Sequence, residues 1–276
     1  MKRKIKLLTL SYLVFLVFNL LSGMADGIIS EIFLFLAFML PVAAVLFADR
    51  KSDVDSDALL YLRLDRRGVD LILALGIPCV VLVAILSFLT ALVIDLTLGV
   101  KDAVALPDSY LAAVLTLAFL PALMEELLFR YLPMKLLLPH SATVTVMFSS
   151  IMFAAAHCSV FQLIYALVAG VIFMSINIAS RSVIPSLILH FVNNFISVTA
   201  LYFKTDSNVI LWLNVIICLL FVASCVYLAL KHKSIIENIC GSIQRGEEYS
   251  ATAAPLCFIL PAMVLALSDI VMKLGG

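Results

Sequence analysis

Long apolar runs broken by short polar stretches recur along the whole chain. About 20 apolar residues in a helix cross the hydrocarbon of a bilayer. Nine runs fit that length, at 5–23, 28–48, 69–94, 110–138, 141–157, 160–179, 183–203, 208–230 and 251–272. They predict an all-α fold, a polytopic transmembrane helix bundle of eight or nine spans. The fifth and sixth runs are short or closely joined, so their ends are the least defined. The polar connections 49–68, 95–109 and 231–250 are too short for a soluble domain. Within the last, 234–245 can form a short helix on the inner surface. The first reads as a solvated loop, with Asp53, Asp55 and Asp57 followed by Arg63, Arg66 and Arg67.

Composition supports the same class. Of 276 residues, 64% are hydrophobic and 13% charged, whereas a soluble domain is nearer 45–50% apolar and about 25% charged. The net charge is zero, which removes the case for a nucleic-acid partner or a polybasic surface protein. The six cysteines include no C-x-x-C, and most lie in apolar runs, where Cys acts as a small hydrophobe. The basic start, Lys2-Arg3-Lys4-Ile5-Lys6, precedes a long apolar run and so reads as an uncleaved first helix. With the N-terminus inside, fifteen Lys and Arg fall on the inner side and only Lys101, Lys204 and Lys273 outside. That is a strong positive-inside bias. The chain is expected to be a multi-pass protein of a bacterial cell membrane.

Three ionisable residues interrupt the fourth run, in Met124-Glu125-Glu126-Leu127-Leu128-Phe129-Arg130. A charged side chain costs about 2.5–3.5 kcal/mol at the centre of a bilayer helix and marks a functional site by default. Glu126 and Arg130 are i and i+4, so they can pair on one face and support the helix. Glu125 lies about 100° around the helix. It has no partner within the motif, which leaves it for chemistry. A structural charge cluster is the competing explanation.

Other polar residues lie in neighbouring runs. His157 ends the fifth, with Phe153 one turn earlier, and His190 and Asn194 share a face of the seventh. Asn193 lies close enough to substitute for Asn194. Pro139-His140 marks a turn, so runs four and five form a hairpin. Along their helices Glu125 lies roughly 20 Å, and His157 roughly 24 Å, from that turn. Counted from Arg181, His190 and Asn194 are roughly 13–20 Å deep. His157 is the poorest match, so the fifth helix must end elsewhere or be displaced.

Together, Glu125-Glu126-x-x-x-Arg130, Phe153-x-x-x-His157 and His190-x-x-x-Asn194 resemble the CPBP, or Abi, family of intramembrane proteases, which includes the type II CAAX prenyl endopeptidases and bacteriocin-processing or immunity proteins. The resemblance covers about 105–205. It divides the chain into N-terminal helices with an inner loop (1–104), a catalytic core (105–205) and C-terminal helices (206–276). Tyr131 stands where many bacterial members have Gly. The family implies an intramembrane endopeptidase that hydrolyses a peptide bond of a hydrophobic or membrane-associated peptide or protein. By resemblance Glu125 and His157 would activate a water, and His190 and Asn194 would donate to the oxyanion. No cofactor is expected. If a metal takes part, Glu125, His157 and His190 would form a zinc set of the His₂Glu kind, although the H-E-x-x-H of zincins is absent. The depths and the family place the opening of the cavity on the inner side.

Two other functions fit the same residues. Intramembrane Glu, His and Arg also mark proton- or ion-coupled transporters. Broken helices in paired repeats would favour that; no repeat is present, although Pro121 and Pro133 flank the motif. A non-catalytic immunity or scaffold protein of the same family is the other.

Overall fold

The computed structural model describes residues 1–48, 62–100 and 105–203, together with positions 216, 219, 223 and 226. Apart from those four positions, the expected span 208–230 and the C-terminal division 206–276 lie outside the described residues, as do the span 251–272, the surface helix 234–245 and most of the 49–68 connection. Seven helices run through the rest: α1 (Lys2–Met24), α2 (Gly27–Ala48), α3 (66–98), α4 (Tyr110–Leu137), α5 (Ala142–Ala156), α6 (Val160–Ser180) and α7 (Ile184–Tyr202). No strand occurs among the described residues. Among the described residues six helices are long and apolar enough to cross a membrane, so the chain is read as an integral membrane protein.

α5 is the exception, and it corrects the expected fifth span. Its 15 residues rise about 22 Å, short of the roughly 30 Å of hydrocarbon. Most of its side chains are buried. It is apolar because it sits inside the bundle, and hydropathy does not separate that from contact with lipid. α6 folds back along it at very close range: a Cβ on Gly170 would lie 2.9 Å from Ser150 Cα. A backbone atom cannot be displaced cheaply, so Gly170→Ala is expected to cost about 1–3 kcal/mol. Thermal unfolding in detergent reads this out, against Gly23→Ala, where a Cβ meets nothing within 4 Å.

α3 and α4 are broken by wide turns, and prolines explain them. π turns cover Ile72–Gly76, Val114–Phe119 and Leu127–Tyr131. Each ends two residues before a proline: Pro78, Pro121 and Pro133. Proline brings no N–H, and its ring pushes away the carbonyl four residues earlier, so the preceding turn widens. At Pro133 the two released carbonyls are both satisfied from other helices. Tyr12 Oη of α1 donates to Leu128 O at 3.3 Å, and Ser149 Oγ of α5 donates to Phe129 O. The break in α4 is thereby tied to α1 and α5.

Packing fixes the direction of each helix. Met134, Val146 and Met174 meet in one cluster, so the end of α4, the start of α5 and the end of α6 share one end of the bundle. A Cβ on Gly68 would lie 3.3 Å from Pro185, which adds the starts of α3 and α7. Tyr12 and Phe15 pack their rings against Phe129, which brings Lys2 to Lys6 to the same end. The opposite end holds the α1–α2 turn, fastened by hydrogen bonds between Ser22 and Ser30. It also holds the start of α4, where Tyr110 bonds Thr199 of α7 at 2.9 Å. The first end is rich in Lys and Arg, and the second carries Asp26, Glu31 and Asp108.

Candidate active site

Glu125 and Glu126 end the straight segment Leu120–Glu126, between two of the π turns. π turns gather at functional sites because they re-aim side chains. Here successive carboxylates reach different partners. Glu125 Oε2 stands 3.6 Å from His190 Nε2 and 4.0 Å from His157 Nε2. Glu126 Oε1 accepts a hydrogen bond from His190 Nδ1 at 3.0 Å. One imidazole thus lies between two carboxylates from the same helix. α4, α5 and α7 each contribute, as the three sequence motifs require.

His157 reaches the site because α5 stops short. The chain reverses over three residues, His157 to Ser159, with Cys158 in the left-handed region (φ 48°) that usually takes glycine after a helix. This resolves the poor depth match: the helix ends inside the bundle, at the level of Glu125. His157 Nδ1 donates to Phe153 O at 2.8 Å. A carbonyl can only accept, so Nδ1 carries a proton and Nε2 is the nitrogen that faces Glu125. Cys158 is turned away, its Sγ 3.6 Å from Ala155 O.

Glu126 does more than the expected pairing with Arg130. That pair is long, 3.9 Å from Nε, and both side chains are nearly inaccessible, at 2% for Glu126 and 0% for Arg130. Glu126 is held mainly by His190 and by Ser186, whose Oγ donates to Oε2. Ser186 accepts from Asn177 Nδ2 at 2.6 Å and gives its backbone N–H to Asn177 Oδ1 at 3.3 Å. Asn177, Ser186, Glu126 and His190 therefore form one buried hydrogen-bonded chain across α6, α4 and α7. Sequence reasoning missed Asn177 and Ser186. The available signal was an amide and a hydroxyl in apolar runs. Arg130 Cζ lies 3.9 Å above the centre of the Phe153 ring, a cation–π contact. Phe153 in turn sets its edge against His157 and His190. The Phe of the second motif thus links the buried cation to both imidazoles.

Asn194 lies one turn beyond His190. Its Oδ1 accepts from Asn193 Nδ2 at 3.4 Å, and the contacts gathering the other four groups do not include it. Among the described residues no group of three or more His, Cys, Asp or Glu side chains could hold a metal ion. Glu125, His157 and His190 meet as two ring nitrogens directed at one carboxylate oxygen. That oxygen is buried and makes no hydrogen bond to the described residues.

A cavity of about 490 Å³ leads away from Glu125 and His157. Its wall is built from α1, α2 and the Thr116 to Phe129 stretch of α4, including Phe15, Phe35, Phe38, Leu120 and Phe129. It extends toward the end bearing the α1–α2 turn, away from the Lys- and Arg-rich end. The α1–α2 hairpin, outside the recognisable motifs, forms much of the cavity and puts the space on its own side of the carboxylate.

The bundle thus buries a carboxylate facing two imidazoles at the foot of a largely apolar cavity. Residues 107–196, a third of the chain, match the family model described as Type II CAAX prenyl endopeptidase Rce1-like. The match is consistent with the CAAX protease (CPBP) family and points to CAAX-type intramembrane protease activity. It covers α4 to the first part of α7, and with them every residue of the three motifs. No curated protein and no solved structure matches the chain.

Proposed function

We propose that the protein is a metal-independent intramembrane endopeptidase in which Glu125 activates water against a peptide bond. The observation that carries this is Glu125 Oε2, buried with no hydrogen bond to the described residues and faced by two imidazole Nε2 atoms at 3.6 and 4.0 Å. Contacts slightly beyond hydrogen-bond length suit a bridging water. Glu125 takes a proton from that water, and His157 Nε2 accepts its other hydrogen and orients it. The water oxygen attacks the peptide carbonyl carbon. The carbonyl oxygen takes the negative charge and receives hydrogen bonds from protonated His190 and, one turn on, from Asn194. Glu126 stabilises the protonated ring through Nδ1. The C–N bond then breaks, and Glu125 returns its proton to the leaving nitrogen. The products are a new carboxylate and a new amine.

The substrate on this reading is a hydrophobic peptide or membrane-associated protein segment, the bilayer is the medium, and the N-terminus lies inside. The positive-inside rule then makes the Lys- and Arg-rich end the inner one. The test is purified full-length protein in detergent with a library of prenylated and unprenylated peptides. Cleavage that survives a strong chelator is the expected result. Activity lost to the chelator and restored by zinc would overturn the metal-free mechanism. No cleavage, with solute uptake into proteoliposomes, would favour a transporter.

The hydrogen-bonded chain behind His190 gives a further expectation. Ser186→Ala removes a donor to a buried carboxylate, worth about 1.5–3 kcal/mol. If that bond holds His190 for the transition state, kcat falls about tenfold or more while KM stays put. A change confined to KM or to thermal stability would assign Ser186 to packing alone.

A further inference from the structure

Away from Glu125 and His157, three polar side chains line the cavity: Asn19 of α1, Glu31 of α2 and Thr116 of α4. Thr116 is committed to its own helix, donating to Ala112 O at 2.8 Å. Glu31 is different. It is the one charged residue of α2, it is exposed, and it forms no ion pair among the described residues. It stands one turn into the helix, at the end of the bundle where Asp26 and Asp108 also lie. The wall between Glu31 and the catalytic carboxylate is apolar and aromatic. The cavity is thus polar at both ends, with an acid and two imidazoles at its foot and an unpaired carboxylate toward its mouth.

We propose that Glu31 is a specificity-determining residue, the cation-binding end of the substrate site. The occupant is an apolar peptide segment with one Lys or Arg near the bond to be cut. Its apolar side chains lie on Phe15, Phe35 and Phe38, and its ammonium or guanidinium group pairs with Glu31, with Asn19 beside it. Along α4 the lining runs from Thr116 to Glu125, about 14 Å of helix or about four extended residues. The cation therefore falls within about four residues of the scissile bond. A neutral segment would leave the carboxylate without a counter-charge, and an acidic one would meet repulsion from Glu31. This subsite rests on the proteolytic reading of Glu125.

The experiment separates the two claims by measuring binding without turnover. Acetylated, amidated apolar peptides carry Lys, norleucine or Glu at each successive position, with a fluorescent label. Their affinities are measured for full-length Glu125→Gln protein in detergent, and their cleavage by the unaltered protein. At one position Lys is expected to bind about fivefold more tightly than norleucine, as for one partly solvated ion pair, and Glu more weakly than both. Adding Glu31→Lys inverts that order at the same position. Equal affinities for the three peptides, no binding by any of them, or an order unchanged by Glu31→Lys would overturn the subsite. A charge preference without cleavage keeps the subsite and removes the protease; cleavage without preference does the reverse.

Discussion

Glu125→Gln is expected to lower peptide cleavage by a factor of about 10²–10⁴, the range associated with a positioned general base. The substitution keeps the shape and the hydrogen-bonding capacity of the side chain but removes its ability to take a proton. Little stability should go with it. Glu125 Oε2 makes no hydrogen bond to the described residues, and the side chain is 19% exposed at the foot of the cavity. The melting temperature in detergent should therefore stay close to that of the unaltered protein. His190→Ala is a useful comparison, since losing an oxyanion donor costs on the order of 10²–10³ in rate. Cys158→Ala, beside His157 but turned away from it, should leave cleavage intact.

Glu126→Ala is expected to act on stability first. Its carboxylate is buried with Arg130, His190 and Ser186 around it. Removing one member of a buried ion pair typically costs about 3–5 kcal/mol, because the remaining charge keeps its desolvation penalty without its counter-charge. Arg130 would be that charge. None of its three guanidinium nitrogens has a hydrogen bond among the described residues; its other contact is the face of Phe153. Thermal unfolding in detergent should show a large fall for Glu126→Ala and a smaller one for Glu126→Gln, which keeps a hydrogen-bond acceptor. The double change Glu126→Ala with Arg130→Met should recover part of the loss, since it removes the orphaned charge as well. A Glu126→Ala protein as stable as the parent would show that the adjacent carboxylates are not divided between chemistry and support.

The placement of Glu126 beside Arg130 was legible in the sequence in outline. The i, i+4 spacing of Glu126 and Arg130 identified a buried pair, and the angular offset of Glu125 set it apart. The spacing could not show that Glu126 holds His190, because that contact depends on how α7 crosses α4. Asn177 and Ser186 were hidden for the same reason: an isolated amide or hydroxyl in an apolar run gains meaning only from the helix opposite. The long apolar runs marked α1, α2, α4, α6 and α7 well, since a helix facing lipid must be apolar along its length. They misread α5, because a helix wrapped by protein is apolar too. Pro121 and Pro133 stood out in the sequence on either side of the charged motif, but the π turn before Pro133 rests on carbonyls that Tyr12 and Ser149 satisfy from other helices. The direction of the cavity could not be read from motifs in α4, α5 and α7, because α1 and α2 build its far wall.

The most direct measurement places a cleaved peptide in water enriched in ¹⁸O and weighs both products by mass spectrometry, for the unaltered protein and for Glu125→Gln. The predicted result is one heavy oxygen in the new carboxyl group from the unaltered protein, with the yield nearly abolished by the substitution. Labelled product formed equally well by Glu125→Gln would show that the water is activated elsewhere, and the convergence of α4, α5 and α7 on this carboxylate would not be the basis of catalysis.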